Sequence, residues 1–250
     1  MKHIQLLRLA IGAFTCMALQ TQAEDIQVFA AGASKVAIER AAPAFMQMTG
    51  DRLVVTSDTV GALRDRINQG ERPDLTVLSQ VAMQSLVSQG HVQASQTQNV
   101  GVVSAGLAVK RGTPVPHIAN VEALKQALLQ AKSIAHADGA RGATSGAHFA
   151  KMIDQLGLRD ALQPKLTVLP FGVEVIEAVA AGHYELGASQ SSEIVPHASV
   201  TYVGDLPAPY DLRTPYVAGV VHDSAKGLRL LKFLSTPDGL RIFNASGFGR

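Results

Sequence analysis

Twice along its length the chain alternates short β-branched apolar runs with helix-periodic segments joined by brief connections. This alternation restricts it to an α/β architecture. The first series is a strand at 26–30, a helix over about 34–48 with Val36, Ile38, Ala41, Ala42 and Phe45 at helical spacing, and a strand at 53–55. A helix at 60–69 stopped by Gly70, a strand at 75–78 and a helix at 81–89 stopped by Gly90 complete it. Such a βαβαβ run builds a parallel sheet with helices on both faces. The pattern restarts with a long strand at 102–110, a helix at 121–130, a strand at 133–137, a helix at 145–156, a strand at 166–169, a helix at 173–181 and a strand at 186–189. A further strand is expected at 200–203. Pro207, Pro209 and Pro215 then interrupt regular structure, before a last strand at 216–222 and helices at 227–234 and 237–244.

No polar linker separates the two series, and no fixed-period repeat is present. Two sheets without a linker imply lobes joined by crossing strands, near 102–110 and again near 212–217, with the closing helices returned to the first lobe. The expected division is residues 24–103 plus 215–250 for lobe 1 and 104–214 for lobe 2. A ligand then sits between the lobes at the carboxyl ends of strands, where open α/β sheets bind.

Residues 1–23 read as a secretory signal peptide. Lys2 and Arg8 give a basic start, an apolar run covers 9–19, and Thr21-Gln22-Ala23 offers small residues for cleavage, so the periplasm is the expected compartment. The run is too short to span a bilayer, and Ala13-Phe14-Thr15 before Cys16 fits a lipid-anchor site poorly, so no membrane anchor is expected. Cleavage removes the one cysteine, and with it any disulfide or thiolate ligand. It also removes Lys2 and Arg8, which takes the formal net charge from +2 to zero. A neutral chain lacks the basic face that nucleic-acid binding needs. The absence of tryptophan argues against an aromatic platform for sugars or bases.

Four strand-to-helix turns are rich in Gly, Ser and Thr: Ala31-Gly32-Ala33-Ser34-Lys35, Ser57-Asp58-Thr59-Val60-Gly61, the stretch from Gly139 to Gly146, and Phe171-Gly172-Val173-Glu174. Each feeds a helix N-terminus, whose free N–H groups and positive dipole end can seat an anion. Singly, Ser34, Ser57, Thr59 and Ser145 are as readily helix caps. Four turns at equivalent sheet ends, two per lobe, can converge on one ligand. Arg141 lies within a Gly-rich turn and offers a planar fork for a carboxylate. His148 falls one helical turn after Ser145, where it serves as an anion donor, a proton shuttle or a structural histidine. Glu174 is a candidate general base or a dipole-complementing carboxylate. Thr144, Gln190 and Ser191 can supply neutral hydrogen bonds. No P-loop, dinucleotide fingerprint or Gly-x-Ser-x-Gly elbow is present, and the eight histidines are scattered without paired metal-ligand spacing.

Val28-Phe29-Ala30-Ala31, the stretch from Ala62 to Gly70, Pro73-Asp74-Leu75, Leu186-Gly187 and the ending from Leu234-Ser235-Thr236-Pro237 to Ser246-Gly247-Phe248 resemble the periplasmic molybdate-binding protein family of type II solute-binding proteins. The resemblance covers nearly all of the chain after residue 23. It implies a two-lobed fold with each lobe a mostly parallel sheet flanked by helices. The family's anion-contacting hydroxyls do not carry over: they fall on Ala33, with Ser34 next to it, on Val60 beside Thr59, and on Gln190. Lys35, Arg141 and His148 stand near the same turns and suit a polycarboxylate better than a compact oxyanion. The segment from Gly142 to Phe149 is similar to the branch of the family that includes bacterial aconitate isomerase.

That likeness implies a cofactor-independent isomerase working by allylic proton transfer, with His148, Glu174 and Lys35 as candidate catalytic groups and Asp58 a further one. Ser34, Lys35, Ser57, Thr59, Arg141, Thr144, Ser145, Gln190 and Ser191 are the candidate substrate contacts. The alternatives are a receptor that delivers molybdate or another small anion to an ABC permease, or a sensor subunit for a membrane kinase. No cofactor, metal or nucleic-acid partner is expected, and the chain is expected to be a monomer.

Overall fold

The computed structural model describes residues 23–249, so the expected signal peptide lies outside the described residues, apart from its last position. Nine strands, β1 (Asp25–Ala31), β2 (Arg52–Asp58), β3 (Leu75–Ser79), β4 (Val92–Lys110), β5 (Ile134–Ala137), β6 (Leu166–Leu169), β7 (Leu186–Gln190), β8 (Val200–Asp205) and β9 (Arg213–Val221), run in the order β2-β1-β3-β9-β4-β7-β5-β6, with β8 also on β4. Helices α1 (Gly32–Thr49), α2 (Val60–Asn68), α3 (Gln80–Ser88), α4 (Val121–Gln130), α5 (Thr144–Gln155), α6 (Arg159–Leu162), α7 (Gly172–Ala181), α8 (Ser191–Ile194), α9 (Ala225–Leu234) and α10 (Pro237–Ala245) pack around them.

One strand divides the molecule. Between Val92 and Ser104, β4 pairs antiparallel with β9; from Ala105 it pairs with β7 and, from Gly106, with β8 on its other side. β1, β2 and β3 are mutually parallel on the first sheet, as are β5, β6 and β7 on the second. The molecule is thus two-lobed, each lobe a largely parallel sheet between helices. The first lobe is closed by a core that includes Ile38, Phe45, Leu63, Leu78, Phe233 and Phe243. On the second, Leu107 and Val109 face one apolar cluster and Ala108 the opposite one, the period of two expected of a strand covered on both faces.

Two expectations need correction. The long strand starts at Val92 rather than 102, because Gln93, Ser95, Gln96, Gln98 and Asn99 carry no apolar signal, although Gln98 and Asn99 pair with β9. Pro215 lies inside β9 instead of interrupting it. Its partner Val102 exchanges both backbone hydrogen bonds with Gly249, so no N–H is required at position 215.

Candidate functional site

Parallel strands end on one edge of their sheet, so every strand-to-helix turn lies on that carboxyl edge. The two sheets turn these edges toward each other, and all four Gly/Ser/Thr-rich turns reach one cavity. Its walls are Gly32 and Ala33 of α1, Asp58, Thr59 and Val60 at the start of α2, Ala143, Thr144 and Ser145 at α5, and Phe171 and Gly172 at α7. Ala137, Gln190, Glu193 and Tyr216 complete the lining, and the free volume is about 40 Å³. Space of that size holds a few waters or one carboxylate group.

The ends of these helices are unusual in what they lack. The residues before α1, α5 and α7, namely Ala31, Ala143 and Phe171, make no side-chain cap. Only α2 is capped, by Thr59 accepting from the Ala62 N–H at 3.2 Å. First-turn N–H groups of three helices therefore face the cavity with the positive dipole ends behind them. A second feature marks the same cavity: Gln190 is only 5 % exposed, and its buried Oε1 has no hydrogen-bond partner among the described residues. A buried acceptor left open is completed by a donor, such as a water held in the cavity or a protonated group.

A carboxyl group stands inside this ring of donors. Glu193 Oε2 accepts from the Ser189 hydroxyl and from the Gln190 N–H at 3.4 Å. A Cβ on Gly172 would overlap Oε2, and one on Gly32 would lie 2.9 Å from Oε1, so the group is seated against the first residues of α7 and α1. Burial pushes the Glu193 carboxyl above the ordinary range, opposed by the hydrogen bonds from Ser189 and Gln190. Burial also raises the Tyr216 hydroxyl, assisted by the nearby Glu193 charge and opposed by a Gln190 side-chain hydrogen bond. Tyr216 is thus a neutral donor.

The lobes are shut across the cavity mouth. The Thr59 hydroxyl donates to the Arg141 carbonyl, and a Cβ on Gly61 would lie 3.2 Å from Gly142 Cα. Gly142 has φ +87°, a conformation that favours glycine at this contact.

Of the residues singled out from sequence, Thr59, Thr144, Ser145 and Gln190 line the cavity, as does Asp58. The others stand outside the lining. Ser34 is fully buried and donates to the Ala31 and Val77 carbonyls at 2.9 and 3.2 Å. Lys35 faces Glu39 at 3.9 Å on the outer side of α1. Ser57 lies within β2. The Arg141 guanidinium rests over the Phe171 ring, 5.2 Å from its centroid, so only its carbonyl reaches the interlobe contact. His148 Nε2 donates to the Tyr210 carbonyl at 2.8 Å. Glu174 is half-buried in the first turn of α7. Ser191 accepts from the Ser104 N–H at 3.1 Å and donates to the Gly247 carbonyl at 2.8 Å, which pins the point where β4 changes sheets.

Sequence reasoning passed over Glu193 and Tyr216. The spacing Gln190-Ser191-Ser192-Glu193 is that of a helix start with a backward-reaching carboxylate, and that signal could have exposed Glu193. Larger hollows exist elsewhere. One of about 520 Å³ abuts Gln130 and Gly182 at the C-terminal ends of α4 and α7, where the dipole repels anions. Another of about 510 Å³ is walled by Ala147, Ala150 and Ile153 along the flank of α5, away from its N-terminus.

A family model described as bacterial extracellular solute-binding protein matches residues 26–249. An aconitate isomerase from a Pseudomonas species is 28% identical over 232 residues, covering 89% of this chain and 86% of that protein. Among solved structures, the periplasmic molybdate-binding protein of Azotobacter vinelandii superposes with a TM-score of 0.74 at 19% identity, over 90% of this chain and 99% of the other. The sulfate-binding protein of Mycobacterium tuberculosis gives 0.66 at 18% identity, over 90% and 86%. Among the described residues no helix is long and apolar enough to cross a membrane, and no three His, Cys, Asp or Glu side chains gather as a metal site.

Proposed function

This chain belongs to the bacterial extracellular solute-binding protein family, and from that premise we propose that it works in the periplasm as an isomerase of a small tricarboxylate, interconverting trans- and cis-aconitate. The reading is carried by one observation: a cavity built for an anion, from three uncapped helix N-termini, also contains carboxyl groups. A receptor that only binds an anion gains nothing from a carboxyl in its seat; an enzyme that must move a proton does. The aconitate isomerase of Pseudomonas, similar over most of the chain, supports the choice of substrate.

The reaction needs one proton moved. A base takes a proton from the methylene carbon, the electron pair spreads over the three-carbon allylic unit into a carboxylate, and a proton returns at the former vinyl carbon. The N–H groups of α1, α5 and α7 would hold the carboxylate on which charge develops, with Thr144, Ser145, Gln190 and Tyr216 as neutral donors. Because the free volume seats one carboxylate, entry of the whole substrate requires the lobes to part at Gly61 and Gly142. We place the lobe boundaries at the sheet change between Ser104 and Ala105 and at the return into β9 near residue 215, with residues 1–23 as the leader that directs export.

A second reading, a receptor handing a compact oxyanion to an ABC permease, is favoured by the small volume and by the absence of Lys, Arg and His from the lining. One experiment separates them. The protein from residue 24 onward is incubated with trans-aconitate and the vinyl proton followed by NMR, alongside thermal shifts with molybdate, tungstate and citrate. Turnover of trans-aconitate is expected. Stabilisation by molybdate with no turnover would overturn the isomerase in favour of the receptor.

A further inference from the structure

We propose that Glu193 is the catalytic residue that carries the proton between the two ends of the allylic unit. The assignment rests on the isomerase reading above. Its ground is placement: the carboxyl lies in the cavity lining between the first residues of α1 and α7, the positions whose N–H groups would grip the substrate's carboxylates. A carbon adjacent to a carboxylate held there comes against Glu193.

Two details fit a proton carrier. Oε2 is fixed by Ser189 and the Gln190 N–H, while Oε1 is turned toward Gly32, so one oxygen anchors the group and the other is presented. Burial makes the carboxylate a stronger base than an exposed glutamate, which favours taking the proton from carbon. Tyr216 on β9 is the titratable group facing it, and with its own proton held by burial it does not compete for the role. The other lining carboxylate, Asp58, has Oδ1 fixed by the Thr59 N–H at 2.7 Å and stands before the capped helix α2, not between the uncapped starts of α1 and α7. Lys35, His148 and Glu174 lie outside the lining.

In the step proposed, the Glu193 carboxylate forms an O–H bond as the methylene C–H bond breaks. The electron pair passes to the allylic system and its carboxylate. The same carboxyl then gives the proton to the former vinyl carbon, forming the new C–H bond and regenerating the carboxylate. Nothing is oxidised or reduced, and no co-reactant enters.

The test compares wild type, Glu193→Gln and Glu193→Asp for kcat on trans-aconitate, for Kd by calorimetry and for thermal melting. Expected are a fall in kcat of about 10²- to 10⁴-fold for Glu193→Gln with Kd within about threefold, and a smaller loss for Glu193→Asp, which keeps the acid but withdraws it by one methylene. Active wild type with Glu193→Gln retaining kcat within about threefold would overturn the assignment and leave the isomerase standing. Wild type that binds trans-aconitate without turning it over would remove the isomerase reading, and the assignment with it. Should Glu193→Gln fail to fold, Glu193→Asp decides: unchanged kcat in a folded Glu193→Asp protein overturns the role.

Discussion

Gly61 offers a way to disturb closure without touching the ligand seat. It is the second residue of α2 and does not line the cavity. Alanine there suits the helical backbone and adds up to about 1 kcal/mol of helix propensity. In the parted, ligand-free state the new methyl meets nothing across the cleft. Melting of the ligand-free Gly61→Ala protein should therefore be unchanged or raised by about 2–4 °C. In the closed state the same Cβ sits 3.2 Å from Gly142 Cα, a backbone atom that must yield by a few tenths of an ångström. Overpacking of this kind costs about 1–3 kcal/mol. If ligand binding requires closure, Kd for trans-aconitate should weaken by about 5-fold at the lower end and about 150-fold at the upper. Calorimetry measures the affinity, and small-angle scattering measures the compaction on adding ligand. An affinity within twofold of wild type, with compaction preserved, would refute the closed-state contact. A lowered melting point in the ligand-free protein would refute the claim that position 61 is unhindered when open.

Three further outcomes follow from the geometry. Gly172→Ala places a Cβ onto Glu193 Oε2 and 2.6 Å from Ser189 Oγ, so kcat on trans-aconitate should fall more than about tenfold, as expected when a proton carrier is displaced, while circular dichroism still reports a folded chain. The raised Glu193 value has a defined sign: the unfolded chain ionises first, near 4.5, so this group's contribution to stability is complete below that pH and is lost as pH rises through the folded value. Glu193→Gln should therefore melt progressively higher than wild type as pH increases above about 4.5, and a gap independent of pH would contradict it. Asp74 accepts from the Gln27 N–H at 2.7 Å and the Ser224 hydroxyl at 2.6 Å, and faces Lys226 at 3.6 Å. Asp74→Ala should cost about 3 kcal/mol, read as a lowered urea midpoint with ligand affinity at saturation unchanged.

Much of the framework was legible because strand and helix periods are strong signals where both faces of a sheet are covered. The convergence of the four turns was also legible, since parallel strands leave no other edge for them. What failed was orientation within each turn. At α1 the first two residues face the cavity, Ser34 turns into the core and Lys35 outward, a rotation that spacing alone does not specify. At the Gly139–Arg141 turn, the left-handed Gly142 presents the Arg141 carbonyl to Thr59 and leaves the guanidinium over Phe171. Glu193 escaped because it lies in a four-residue helix too short for any periodic signal, and Tyr216 because a buried strand tyrosine looks like core. Residues 92–101 escaped because most of their side chains are polar, although Val92, Thr97, Gln98, Asn99 and Gly101 pair with β9.

The placement of β9 between β3 and β4 governs when this protein can come into being. Leu75 must wait for Val220, and the core around Phe45 must wait for Phe233 and Phe243, so the first lobe has no complete sheet until the last segment of the chain is available. The second lobe, by contrast, has its three parallel strands and β8 within one uninterrupted stretch and can condense early. Contacts this distant in sequence fold slowly, because the loop must close before they are rewarded. On the export proposed above, that delay has a use: the amino-terminal portion stays unfolded until translation has ended.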